Sequence, residues 1–280
     1  MMSPIKVCTL TCARDYAMAK TCYSSLVRLS EQPINLTVFH DGTLTPAQCA
    51  ELKQENGIVD VLNVRDFEAA IDDRLKGHPR ARDFCWRHPN NVKLLVVPAL
   101  FGFPFRYFDS DILFIRRFAN LFIEDQRALF GKEMFDAGYS GKFWKLKRLA
   151  PRGMPSRANC GLLQIPEKSY SLDFIEWFLS KPELQFVPNM VEQTIWPMMV
   201  GVDCMETDLE NIYMNSRGKI QISPKTFAIH FLGDSRHEFE NYKNFRAADD
   251  SVIAAEHNPA TELGWAEIIW RKVRRDLLKQ

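Results

Sequence analysis

Three β-branched, apolar runs at Ile5–Thr11, 35–39 and 58–64 alternate with helically spaced stretches at 14–29 and about 45–56. Parallel strands need a long crossover between them, and a helix is the usual one. The rhythm therefore commits this part of the chain to a parallel sheet with helices on both faces. Thr43 or Thr45 can cap the second helix. Residues 65–90 are charged and carry no regular pattern. Further on, the spacing predicts a helix over 91–101 disturbed at Pro98, a short strand at 106–108 and strands at 128–131 and 162–165. Helices follow at 169–180 and 190–200, then a late strand at 226–231 and a helix over 261–279. No repeat or low-complexity linker breaks the chain. Its 280 residues read as a single α/β domain with an irregular second half.

Composition narrows the function classes. Lys and Arg total 36 against 35 Asp and Glu, so no global field recruits nucleic acid. The seven cysteines are odd in number and form no Cys-x-x-Cys pair, which argues for reduced, mostly buried thiols and against a disulfide framework or structural zinc. The N-terminus lacks a signal-peptide apolar region, and no apolar run reaches the roughly 20 residues that span a bilayer. These readings place the protein in the cytoplasm.

The richest segment is 105–113, Phe-Arg-Tyr-Phe-Asp-Ser-Asp-Ile-Leu. An apolar strand delivers the carboxylates of Asp109 and Asp111 where α/β sheets bind ligands, beyond the strand end. Such oxygens suit a hard divalent ion, which can bridge them to a diphosphate. His230, at the end of the late strand, is a candidate third ligand. Imidazole beside two carboxylates favours Mn²⁺, with Mg²⁺ as the alternative. Gly233 permits close backbone approach, and Arg236 can neutralise phosphate oxygens.

In order along the chain these motifs resemble glycosyltransferase family 8, retaining glycosyltransferases of the A-type fold that include glycogenin and the lipooligosaccharide galactosyltransferases. The resemblance runs from about residue 5 to 240. It implies a single Rossmann-like domain over 1–280 with a mixed, mostly parallel sheet. A nucleotide-binding half would cover about 1–115, a donor-sugar and acceptor half about 116–250, and a C-terminal helix about 261–279. The segment 8–17, Cys-Thr-Leu-Thr-Cys-Ala-Arg-Asp-Tyr-Ala, resembles the uridine loop. By that resemblance Thr9 and Thr11 surround the nucleoside and Tyr16 stacks on uracil. The turn at 39–46 is glycogenin-like. Lys93 matches a basic residue that reaches the donor, and Asp109 and Asp111 match the metal-binding Asp-x-Asp, with Ser110 joining the donor set. Asn159-Cys160-Gly161 resembles the Asn-Ser-Gly segment at the donor sugar. Glu192-Gln193 resembles the Asp-Gln pair beside the anomeric carbon. His230 and Gly233 match the third metal ligand and its glycine, and Arg236 stands where the family has a diphosphate-binding lysine. Glu192 for Asp, Cys160 for Ser and Arg236 for Lys are departures, and the Pro-Trp that commonly follows the lysine is replaced by His237-Glu238.

The implied activity is metal-dependent transfer of a sugar from a UDP-sugar, with retention, to a carbohydrate, lipid-linked or protein acceptor. Gln193 would steady an oxocarbenium-like centre without attacking it, while Arg236 and the ion stabilise the departing diphosphate. The alternatives are an inverting transferase with Glu192 as base and a non-catalytic carbohydrate-binding or scaffold protein of the same fold. A nucleotidyltransferase is disfavoured, because no Gly-rich N-terminal loop cradles a triphosphate. Two basic features complete the picture. Residues 142–157 hold six Lys or Arg and no acid, with Phe143 and Trp144 among them, and read as a solvated or acceptor-binding loop. The C-terminal helix joins Trp265, Ile268, Ile269, Trp270 and Val273 to Arg271, Lys272, Arg274 and Arg275. That composition suits core packing with a basic edge or peripheral contact with an anionic membrane.

Overall fold

The structure, a computed structural model, describes residues 3–124, 126–133, 138–185, 187–215, 220–246 and 251–277. The first elements follow the sequence rhythm: β1 (Ile5–Thr11), α1 (Tyr16–Leu29), β2 (Ile34–His40), α2 (Pro46–Lys53) and β3 (Ile58–Asn63). The first two residues of the helix expected over 14–29 belong to a 3-10 turn, Ala13–Asp15. Thr45, rather than Thr43, caps α2, in a reciprocal box with Gln48. Next come α3 (Glu68–Arg74), α4 (Pro79–Cys85), α5 (Pro89–Phe101), β4 (Phe105–Phe108), β5 (Ile112–Phe114), β6 (Phe118–Ala119) and β7 (Ala128–Lys132). The second half adds α6 (Phe143–Leu149), β8 (Ala158–Ile165), α7 (Leu172–Leu179), α8 (Val191–Val200), β9 (Cys204–Thr207), β10 (Ile212–Asn215) and β11 (Ala228–Phe231). The chain closes with α9 (Phe239–Tyr242), β12 (Ile253–Ala254), β13 (His257–Pro259) and α10 (Trp265–Leu277).

Eight strands form the main sheet in the order β13-β9-β7-β8-β4-β1-β2-β3. β1 is parallel to β2 and β4, β2 to β3, and β7 to β9, while β8 runs antiparallel to both its neighbours and β13 antiparallel to β9. The sheet is thus mixed and mostly parallel, as expected. A smaller sheet, β10-β11-β5, lies beside it and carries His230 opposite Ile112.

Three expectations need correction. Residues 65–90 are not irregular: Ile71 with Leu75 and Ala81 with Cys85 are buried at four-residue spacing, so α3 and α4 each bury one narrow stripe amid charge. Within 142–157 the chain forms α6, anchored by buried Leu146. The C-terminal helix begins at Trp265 and not at 261, because residues 261–264 are tied to the neighbouring loop by Ser156 N–H to the Thr261 carbonyl and Leu263 N–H to the Met154 carbonyl. Residues 278 and 279 of that expected helix lie outside the described residues.

Apolar clusters fill both faces of the sheet. On one face Trp196 of α8 stacks on Phe105 of β4, with ring centroids 5.8 Å apart, which fixes α8 against the strand that leads to Asp109. Helices α5 and α8 share a design. Each continues through a proline, Pro98 or Pro197, and ends at a glycine with positive φ, Gly102 at 86° or Gly201 at 84°. A proline cannot bond back to the carbonyl four residues earlier. Those carbonyls are taken by side chains instead: the Tyr170 hydroxyl donates to Leu94 O at 3.1 Å, and the Cys160 thiol to Gln193 O at 3.8 Å.

Candidate active site

The end of β4 is the centre of the site. Asp109 N–H donates to Gly161 O on β8 at 2.7 Å, and Phe231 N–H on β11 donates to Asp111 O at 3.0 Å. These bonds draw the Asp-Ser-Asp turn between two strands from distant parts of the chain. His230 Nε2 consequently lies 3.2 Å from Asp111 Oδ1 and 3.7 Å from Asp109 Oδ2. One ligand atom from each of the three residues falls within 4.8 Å of the others. Among the described residues, the buried Asp111 Oδ1 receives no hydrogen bond. Two carboxylates, one imidazole and an undonated buried oxygen fit a divalent ion that accepts oxygen and nitrogen, such as Mn²⁺ or Mg²⁺.

The close fit at His230 depends on Gly161. A Cβ there would lie 2.1 Å from His230 Cε1, so the imidazole rides directly over the backbone of β8. Burial pulls the His230 pKa down, but the facing carboxylates of Asp111 and Asp109 outweigh it and hold the ring above the ordinary histidine range.

Behind Asp109 sits a buried cation. Lys93 Nζ, on α5, donates to the Cys160 carbonyl at 2.6 Å and to Asp109 Oδ1 at 3.2 Å, and lies 3.5 Å from Glu192 Oε1 on α8. It also sits 4.6 Å from the Tyr107 ring centroid. Burial works against the ammonium, yet Asp109 and Glu192 more than offset it, so Lys93 stays charged. Glu192 is fully enclosed, and burial, eased by Lys93, pushes its carboxyl up to about 7. An acid with a raised folded-state pKa contributes stability that is present below its unfolded value and lost as pH rises through the folded one. Wild type in EDTA should therefore lose urea stability relative to Glu192→Gln between about pH 4.5 and about pH 7. Parallel pH profiles for the two proteins would contradict this account of Glu192.

A cleft of about 380 Å³ opens over these groups, within the usual size range of small-ligand sites. Of the residues expected from sequence, Thr11, Lys93, Asp109, Ser110 and Arg236 are in its wall. Asp111, His230 and Glu192 are buried beside that wall. Thr9, two residues deeper in β1, is fully buried and outside the wall. Tyr16 is also outside it, its hydroxyl bonded to Glu51 of α2. Asn159 is buried, with its amide donating to Glu133 at 2.5 Å and its oxygen accepting from Gly161 N–H at 2.7 Å. The Gln193 amide donates to the Gly138 carbonyl at 3.3 Å. Gly233 holds φ at 49° at the start of the 3-10 turn Gly233–Glu238, which carries Arg236. The wall also contains Cys12, Arg14, Asp15, Asp41, His88 and Asn90, which sequence reasoning did not assign. Asp15 and Asp41 follow the ends of β1 and β2, so the strand-end rule that flagged Asp109 also points to them. Glu133 directly follows β7, so the same rule points to it as well.

No protein-family model matches the sequence, and a comparison with curated proteins finds no match. Solved structures do match. The galactosyltransferase LgtC in complex with donor and acceptor sugar analogues aligns with a TM-score of 0.53 at 13% identity, over 85% of this chain and 95% of that one. Mouse xyloside xylosyltransferase 1 aligns at 0.51 and 13%, over 81% and 98%. The glycosyltransferase GlyE of Streptococcus pneumoniae aligns at 0.54 and 12%, over 98% of this chain and 64% of that one. This chain has the A-type glycosyltransferase fold.

Proposed function

We propose that the protein is a metal-dependent glycosyltransferase that takes its sugar from a UDP-sugar and retains configuration. The observation that carries this reading is the Asp109–Asp111–His230 cluster at the strand end of an A-type sheet, beside an open cleft. When bound, a divalent ion supplies electrostatic stabilisation of the leaving diphosphate. Lys93 and Arg236 add positive charge at the same wall. Asp41 offers a carboxylate that can accept the imide N–H of uracil, whereas adenine presents an acceptor nitrogen at the matching ring position. In competition with a labelled UDP-sugar, UDP should therefore bind far better than ADP, and nucleotide release should require Mn²⁺ or Mg²⁺. Equal competition by ADP and UDP would reject the uridine assignment. Nucleotide-sugar binding without turnover on any acceptor or on water would favour a binding protein of the same fold.

Glu192 supports retention more than inversion. It is buried, lies outside the cleft wall and is engaged by Lys93, which does not suit a general base that must receive an acceptor proton. The anomeric configuration of the product decides between the two.

We further propose that the acceptor is met at an anionic membrane surface on the cytoplasmic side. No helix among the described residues is long and apolar enough to cross a membrane. Helix α10 instead exposes Trp265, Ile269, Trp270 and Val273 at 53%, 62%, 62% and 44%, and Trp144 of the neighbouring α6 is 44% exposed. Helix α6, which packs on α10, lies in a segment, 142–157, with six basic residues and no acid. Lys147 of that segment pairs with Glu262, and the remaining basic charge suits anionic headgroups. The side chains of Lys272, Arg274 and Arg275 lie outside the described residues. All seven cysteines are free, which suits a reducing compartment. Binding to phosphatidylglycerol vesicles, lost on Trp270→Glu and weak with phosphatidylcholine, is the expected result. A dimer that covers the α10 face and ignores vesicles would overturn it.

A further inference from the structure

Arg236 makes contacts that diphosphate binding does not require. The turn that carries it is fixed by buried Ser235, whose hydroxyl donates to the Asn215 and Leu232 carbonyls. From there the guanidinium reaches back across the cleft wall. Its Nε donates to Asp111 Oδ2 at 2.8 Å, its Nη2 lies 2.6 Å from the same oxygen, and its Nη1 donates to Asp15 Oδ2 at 3.3 Å. Asp111 is thereby divided. One oxygen is saturated by Arg236, while Oδ1, buried and without a donor among the described residues, faces His230.

We propose that Arg236 is a positioning residue for the metal carboxylate Asp111, and that Asp15 balances its charge so that the site still attracts a divalent cation. The proposal rests on the metal-dependent reading above. A planar fork can hold one carboxylate oxygen from two nitrogens and fix the rotation of the group, which the point charge of a lysine cannot do. Held in this way, Asp111 keeps Oδ1 directed toward Asp109 and His230. An unmatched cation so close to the ligands would repel the incoming ion. Asp15, which also pairs with Arg14, supplies the compensating negative charge. The roles divide cleanly: Arg236 orients the ligand, and Asp15 offsets the electrostatic cost of having Arg236 there.

The test is calorimetric titration of Mn²⁺ alone into the nucleotide-free full chain. Outer-shell partners of metal ligands typically contribute about 10- to 100-fold in affinity, so Arg236→Gln should weaken Mn²⁺ binding by at least about tenfold. Arg236→Lys should restore only part of this. Asp15→Asn should weaken binding by a smaller factor, because it leaves the guanidinium uncompensated. A folded Arg236→Gln protein with unchanged or tighter Mn²⁺ binding overturns the proposal, since a pure diphosphate contact predicts that result. Complete rescue by lysine also overturns it, because charge alone would then suffice. Unchanged binding in Asp15→Asn removes the charge-balance half. If Arg236→Gln fails to fold by circular dichroism, the other two variants carry the test. Wild type that binds neither Mn²⁺ nor Mg²⁺ defeats the metal-dependent reading itself, an outcome distinct from intact wild-type binding with indifferent variants.

Discussion

Asp111→Ala should lower sugar transfer by at least about a thousandfold and remove the Mn²⁺ dependence of UDP binding. Asp111 supplies the most enclosed oxygen of the cluster and is the residue on which His230 and Arg236 converge. Ion-supplied stabilisation of a leaving group amounts to several kcal/mol, and each ~1.4 kcal/mol is a factor of ten in rate. Asp109→Ala should act in the same direction, although Lys93 keeps Glu192 as a partner in that variant. Circular dichroism should report a native fold for both, because Arg236 is partly solvated and the loss of one partner leaves it hydrated. Undiminished turnover in EDTA, by wild type or either variant, would refute the assignment of these carboxylates.

Gly161→Ala is expected to be nearly as damaging, by a different route. The added methyl would sit 2.1 Å from His230 Cε1, 2.9 Å from His230 Nδ1 and 2.8 Å from Asn159 Oδ1. His230 is wholly enclosed and cannot turn aside within its packing. Either the ring leaves the carboxylates or β8 shifts and takes the Gly161 carbonyl away from Asp109. Overpacking of this kind costs about 1–3 kcal/mol of stability. The loss in metal affinity should exceed what that destabilisation explains, and should be at least about 100-fold on the scale of losing a ligand or its support. Gly77→Ala is the control: nothing lies within 4 Å of its Cβ, so metal binding and activity should be unchanged. A Gly161→Ala protein with wild-type Mn²⁺ affinity would mean that His230 is not a ligand.

The sequence was most informative where chemistry is local. The first three strands and two helices repeat on a long period, each with a buried face of its own, and so were legible from spacing alone. Asp109 and Asp111 follow an apolar strand directly, and the pattern and the carboxylates can be read in one window. Glu192, Lys93 and Gly161 carry no such local mark. Their place beside Asp109 depends on α8, α5 and β8 packing together, and only the family resemblance brought them into view. Arg236 was expected as a cleft residue, but its partner Asp15 lies 221 residues away, and no spacing rule links the two. Strands β9, β10, β12 and β13 are four residues or fewer. They are held by their neighbours more than by their own alternation, which is why they escaped a pattern search. In 65–90 the apolar stripe is one residue wide on each helix, and charge masked it.

The matched prolines of α5 and α8 bear on how the protein would open. Lys93 and Glu192 stand on the same side of their helices' prolines, in the segments that begin at Pro89 and Val191. Beyond Pro98 and Pro197 each helix has a single short turn before its glycine, joined to the rest through a backbone position with no amide to donate. Amide exchange should begin in those terminal turns and stop at the prolines, because unwinding that far frees only the carbonyls that accepted from the last turn and breaks no hydrogen bond that the residues before the prolines donate. The two helices can fray from their far ends while the buried Lys93–Glu192 pair stays closed. In an exchange experiment the pair's segments should therefore be among the last to take up deuterium, together with the central strands they rest on.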